Sequence, residues 1–282
     1  MKAFLGMGLL GSNFVKAMLK RGEEVNVWNR TAQKATALEA YGAKAFSTAA
    51  EAVKGADRIH LTLKDDASVD EVLHQAQDGF APGAIIIDHT TTSKEGAIRR
   101  TTEWAERGFL YQHAPVFMGP ANALESSGFM LVSGDEELIS RLEPELSSMT
   151  GKLLRYGNEA GKAAAIKLIG NAFLVCFTAG IRDTLSLAKA LAIPVSDVAG
   201  LFNSWNPGAQ LPARLQRMTA GDYSTPSWEL RMARKDTQLF LDAAQRGGSD
   251  LALIPAAAAL MDRWIEKGFG EQDWTVIAKD SI

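Results

Sequence analysis

Short apolar runs and amphipathic stretches alternate through the first half of the chain. The runs are Ala3–Leu5, Val25–Trp28, Ile59–Leu63, Ala84–Asp88, Phe109–Gln112, Met130–Val132 and Leu153–Tyr156. Between them Gly11–Arg21, Ala32–Tyr41 and Ser68–Gln77 carry apolar residues at helical spacing. Strand, helix, strand in repetition predicts a parallel sheet with helices on both faces. Several of the runs are almost wholly apolar, as strands covered on both sides are. Past Asn158 the alternation stops. Glu159 to Ala192 reads as one helix, which at about 1.5 Å per residue would run about 50 Å. Ser196 and Asp197 can cap a helix after Pro194, and "TPSWELRMARKDTQLFLDAAQRGG" has helical periodicity and a glycine stop. The predicted architecture is α/β: a doubly wound Rossmann-type domain over 1–158, then an all-α domain over 159–282, joined by the long interdomain helix.

Length supports two domains, since 282 residues exceed what one core usually holds. The formal net charge is −3 with no long run of Lys or Arg. That speaks against nucleic acid or an anionic membrane as partner and for a small molecule. The single cysteine, Cys176, cannot form an internal disulfide, which fits a reducing, cytoplasmic setting. It is expected in the core; Trp205 and Trp228 read as pocket-lining residues of the helical domain or, more often for a Trp there, as core. The four histidines have no ligand spacing, so no metal is expected, and His89 and His113 read as structural. "LIGNAFLVCFTAGI", Leu168 to Ile181, has fourteen residues, too few to span about 30 Å of hydrocarbon.

Composition leaves open what the stretch "FLGMGLLGS" near the start does. Its apolar character resembles a secretion signal, but Lys16 and Lys20 follow closely and no small-residue cleavage site ends it. The glycines of "GMGLLG" (Gly6, Gly8 and Gly11, with Leu9 and Leu10 between the last two) follow a strand and open a helix. A second strand ends 17 residues after Gly11. This is the unit that binds dinucleotides, with the pyrophosphate at the helix N-terminus. The end of the second strand reads "WNRT". Asn29 stands where an NAD site usually has a carboxylate, Arg30 offers a fork of donors to a 2′-phosphate, and Thr31 adds a hydroxyl. The expected cofactor is NADP, with NADPH preferred over NADH. In the second half, Lys167 and Asn171 stand four apart and share a helical face within an apolar run. Polar groups there mark a candidate site.

Four blocks in order, "FLGMGLLGSNF", "IIIDHTTTS", "HAPVFMGP" and "GKAAAIKLIGN", resemble the β-hydroxyacid dehydrogenase family. That family includes 3-hydroxyisobutyrate dehydrogenase and belongs to the 6-phosphogluconate dehydrogenase superfamily. "MARKDTQLFLDAA" and "GEQDWTVI" resemble its later blocks. The resemblance implies a nicotinamide-dependent oxidoreductase that is a homodimer or homotetramer. It implies Lys167 as general acid/base and Asn171 one turn later. It also implies Lys235 as a second lysine toward cofactor and substrate, and Thr91 in the loop after the fourth strand. Leu63 and Lys64 fall on an adenosine-side pair, with Lys in place of Pro.

The substrate loop departs from the family. Where it usually reads Asp-Ala-Pro-Val-Ser-Gly-Gly, this chain has His113-Ala114-Pro115-Val116-Phe117-Met118-Gly119, and Gly170 replaces an asparagine. The serine and glycines normally help hold a substrate carboxylate, so the site formed by Val116, Phe117, Met118 and Gly119 is more apolar. Three functions follow as expectations: reduction of a small hydroxyacid's carbonyl partner, a semialdehyde or a related carbonyl compound; an imine reductase of the same architecture, against which Lys167 speaks; and a non-catalytic dinucleotide-binding module.

Overall fold

The computed structural model describes all 282 residues. Strands are β1 Lys2–Leu5, β2 Val25–Trp28, β3 Lys44–Ala45, β4 Arg58–Leu61, β5 Ile85–Asp88, β6 Leu110–His113, β7 Val116–Phe117, β8 Phe129–Val132 and β9 Lys152–Arg155. Helices of the same half are α1 Leu9–Lys20, α2 Ala32–Thr36, α3 Ala49–Val53, α4 Asp66–Ala76, α5 Lys94–Glu106, α6 Pro120–Glu125 and α7 Glu136–Ser148. Six strands form one parallel sheet in the order β3-β2-β1-β4-β5-β6. The last three form a separate sheet, β7 antiparallel to β8 and β8 parallel to β9. This corrects the reading of one parallel sheet throughout. The two-residue strands β3 and β7 are too short to leave a periodic signal.

Alternation along the central strands builds two cores. Phe4, Ile85 and Ile87 face one side with Phe14, Met18 and Leu142. Ala3, Leu5, Ile59 and Ile86 face the other with Val69, Leu73 and Trp104. Both faces are therefore buried, as helices on either side of a parallel sheet require.

The long helix, α8, is observed over Lys162–Ala190. Its 29 residues extend the fourteen-residue apolar run in both directions, so by length and composition it could cross a membrane, contrary to what the short run implied. Beyond it come α9 Val195–Ser204, α10 Leu211–Ala220, α11 Leu230–Arg246 and α12 Ile254–Trp264. By contacts the chain divides into Met1–Asn171 and Ala172–Ile282. The second unit has a small core of Tyr223, Leu230, Ala233, Met261, Trp264 and Val276. Asp273 ties it together, accepting from the Ser227 N–H (2.7 Å) and Oγ (2.8 Å), Arg217 (2.8 Å) and Thr275 Oγ1 (2.6 Å). Asp183 on α8 accepts from the N–H groups of Ala252 and Leu253, both at 2.7 Å, opening the chain into α12. Burial works against both carboxylates, but these donors hold them below the usual carboxylate range.

Candidate active site

The phosphate loop is set by backbone geometry. Gly6 ends β1 with φ +99°, and a side chain there would strike Leu63 and the Thr62 carbonyl. Gly11 lies so close to the Gly6 carbonyl that a Cβ would overlap it. Nothing lies within 4 Å of where a Gly8 Cβ would stand, so the backbone at the N-terminus of α1 is open to a ligand. Gly8 is the N-cap residue and supplies no side-chain cap, leaving first-turn N–H groups for an anion.

Gly6, Gly8, Leu9, Leu10, Asn29, Arg30, Thr31, Leu63 and Lys64 all line one cleft of about 580 Å³. Asn29 is committed structurally: its Oδ1 accepts from the Met7 N–H (2.9 Å), and its Nδ2 donates to the Thr31 carbonyl (2.9 Å). It thereby couples the C-terminal end of β2 to the glycine loop after β1. Arg30 is exposed and has no ion-pair partner in the chain. Sequence reasoning missed Lys34, four residues beyond Arg30, and Thr62, Ser68 and Gln75 on the facing wall. Thr62 Oγ1 is buried there without a hydrogen-bond partner. An orphaned hydroxyl, three cations and an open helix N-terminus fit the chemistry of a phosphorylated dinucleotide.

Thr91 is exposed and does not line the cleft. Its neighbour Thr90 is buried and accepts from the Leu63 N–H at 2.9 Å, joining the loops after β4 and β5. Lys235 belongs to the second unit, exposed on α11 and paired with Asp236 at 2.7 Å. Three expectations fail. Cys176 is exposed, not in the core. Trp205 and Trp228 are exposed at 56 % and 38 %, with Trp228 edge-on to Trp274 at 5.5 Å.

Lys167 is only 7 % exposed. Its Nζ donates to Asn171 Oδ1 at 3.0 Å, one turn along α8. It stands 4.1 Å from the centre of the Phe117 ring, and no carboxylate pairs with it. Burial alone lowers its pKa from the usual lysine range to about 8. Val116 is buried in β7, while Phe117 and Met118 are half-buried and Gly119 is exposed. Asn122 Oδ1 accepts from the Gly119 N–H at 2.9 Å.

His89 and His113 are buried and have partners the sequence did not reveal. His89 Nε2 meets His60 Nδ1 at 3.0 Å, its Nδ1 meets the Ala114 carbonyl at 2.9 Å, and burial lowers its pKa to about 3. His113 Nε2 lies 2.9 Å from the Thr90 carbonyl. Arg100, fully buried, donates to Tyr111 Oη (3.0 Å) and Asp66 (2.7 Å), and Tyr111 donates to Asp88 (2.6 Å). These pairs brace the loops that end β5 and β6.

Residues 2–157 match the family model described as the NAD binding domain of 6-phosphogluconate dehydrogenase. The whole chain is similar to an uncharacterized oxidoreductase of Bacillus subtilis (29 % identical, covering 98 % of each chain). It is also similar to 3-sulfolactaldehyde reductase of Escherichia coli (26 % identical, 98 % of this chain and 93 % of that one). Among solved structures, an imine reductase from Myxococcus stipitatus in complex with NADP+ shares the fold, with a TM-score of 0.92 at 21 % identity over 99 % of each chain. The chain thus belongs to the 6-phosphogluconate dehydrogenase family, among the β-hydroxyacid dehydrogenases, and is an NAD(P)-dependent dehydrogenase or reductase.

Proposed function

We propose that the chain reduces a small semialdehyde, a hydroxyacid's carbonyl partner or a related carbonyl compound with NADPH, Lys167 acting as general acid and, in reverse, as base. The observation that carries this reading is the buried Lys167 ammonium, held by Asn171 and unpaired with any carboxylate. Such a group is not a structural ion pair. It is a donor kept ready for a ligand.

When bound, the nicotinamide supplies the hydride that a carbonyl carbon receives. Lys167 Nζ meets the charge that grows on the carbonyl oxygen and transfers a proton to it. Asn171 fixes the direction in which the ammonium points. A pKa near 8 makes Lys167 a better donor than an exposed lysine, and its neutral form a usable base for alcohol oxidation. Arg30, Lys34 and Lys64 along one cleft, with no carboxylate at Asn29, support NADPH over NADH.

Lys167→Met tests the role. Turnover should fall by about 10²- to 10⁴-fold, while NADPH binding, followed by cofactor fluorescence, stays unchanged. Near-full turnover in the folded variant would refute it. The pH dependence has a definite sign. Reduction needs the ammonium, so kcat for reduction should fall as pH rises through about 8, and kcat for alcohol oxidation should rise through the same value.

Phe117 and Met118 favour a second reading, reduction of an imine, which needs no carboxylate site. Cyclic imines against aldehydes, followed by NADPH absorbance, separate the two. The partner we propose beyond substrate is a second copy of the chain in the cytoplasm, where a lone exposed thiol is stable.

A further inference from the structure

Phe117 sits in a slot that Gly170 leaves open. A Cβ at Gly170 would overlap the ring's Cζ and stand 2.8 Å from Cε1. The ring can reach α8 only because residue 170 has no side chain. From there it covers the Lys167 ammonium at 4.1 Å, a cation–π distance. The backbone holds it in place, since β7 pairs Phe117 with Phe129. Beyond it, Asn122 has already taken the Gly119 N–H, so that donor is not free for an anion.

A lysine ammonium has three N–H donors. Asn171 Oδ1 accepts one, and the Phe117 face takes the charge on a second side. One direction remains, enough for the single oxygen or nitrogen that is reduced and not for a neighbouring carboxylate as well. A carboxylate brought here would lose its water against an aromatic face, without a hydroxyl or a free Gly119 N–H to replace it. We propose that Phe117, admitted by Gly170, determines specificity: the site takes uncharged, apolar carbonyl or imine compounds and rejects small ones that bring a carboxylate into the site with the reacting carbon. This rests on Lys167 being the proton donor and narrows the proposed substrates to the uncharged carbonyl and imine compounds, away from the hydroxyacid's own carbonyl partner.

The test compares kcat/KM with NADPH for hexanal and cyclohexanecarbaldehyde against glyoxylate and succinic semialdehyde, and titrates succinate into the NADPH-loaded enzyme by cofactor fluorescence. The natural chain should favour the uncharged aldehydes at least tenfold and bind succinate weakly. Phe117→Ser and Phe117→Ser/Gly170→Asn should cut that preference at least tenfold and tighten succinate binding at least tenfold. Gly170→Ala reaches the same contact from the helix: by pushing the ring off Lys167 it should move both readouts in the same direction, and Phe117→Ser should remove its effect on stability. A natural chain that prefers succinic semialdehyde, or variants that bind succinate no better, overturns the proposal. Lys167→Met on whichever substrate turns over keeps the two ideas apart. Anion preference with full dependence on Lys167 sinks only the specificity claim, and turnover that survives Lys167→Met sinks the reading beneath it.

Discussion

Arg30 follows β2 exposed, and no acidic side chain pairs with its charge. A free guanidinium on the wall of a cleft that also holds Lys34, Lys64 and Glu71 contributes no ion pair to the fold, and under the proposed NADPH preference it would meet the 2′-phosphate. Its removal should therefore leave stability alone and change which cofactor is used. Charge-assisted hydrogen bonds are worth about 1.5–3 kcal/mol, and 1.4 kcal/mol is about a factor of ten. Arg30→Ala should raise KM for NADPH by about tenfold to a hundredfold and leave KM for NADH within about threefold. Equal changes for both cofactors would place the 2′-phosphate elsewhere. Asn29 behaves differently, although it is the adjacent residue. Its amide bridges Met7 and Thr31, so Asn29→Ala should weaken both cofactors by loosening the loop.

At the scale of elements, four pieces of backbone share one buried hydrogen-bond chain. It runs from Glu145 on α7 through His60 on β4 and His89 after β5 to the Ala114 carbonyl after β6. Phe4 of β1 stacks on the His60 ring at 5.7 Å. Lys2 (2.8 Å) and Arg58 (3.1 Å) also reach Glu145. Burial works against that carboxylate, but His60 and Lys2 hold it well below the usual range. A depressed carboxylate stabilises the fold fully above its unfolded pKa, about 4.3, and the contribution is lost as pH falls through the folded value. Glu145→Gln should therefore cost about 1.5–3 kcal/mol at neutral pH. At about 2–4 °C per kcal/mol for chains somewhat smaller than this, thermal unfolding should show a drop of roughly 5 °C. The gap should close toward strong acid, and one that stayed constant with pH would mean packing, not charge. This chain also marks how far the sequence was legible. Strands β1, β2, β4, β5, β6, β8 and β9 were readable from apolar runs, and the phosphate loop from glycine spacing, because both signals are local. His60 and His89 stand 29 residues apart and meet only because β4 and β5 are neighbours. The contact of Phe117 with Gly170 is equally non-local. Cys176 and Trp205 were misjudged because apolar residues read as core, whatever eventually covers them.

For the whole molecule, what covers them is the remaining question. Along α8, Ile169, Phe173, Leu174, Val175, Phe177 and Ile181 are exposed, Val175 at 68 % and Ile169 at 65 %. Leu201 and Phe202 of α9 and Trp205 just beyond it are exposed as well, and Phe177, Ile181, Phe202 and Trp205 line a groove of about 570 Å³ between α8 and α9. Exposed apolar side chains in this number mark an association site. Lipid could cover it, since α8 is long and apolar enough. Yet the same helix buries Lys167 and commits Asp183 to three backbone N–H groups, and a membrane core would strand both side chains. A second copy meets the geometry without that penalty, because an interface in water leaves polar groups to their own partners. The purified chain should therefore scatter light as twice its 30.4 kDa mass, or four times, without detergent. Val175→Glu alters a side chain that little in its own chain touches. It should leave the far-UV signal and NADPH binding of the Rossmann domain intact while shifting the mass toward 30.4 kDa. A natural chain that is monomeric in buffer, or that is recovered only with vesicles, would remove the second copy and leave the apolar face to lipid.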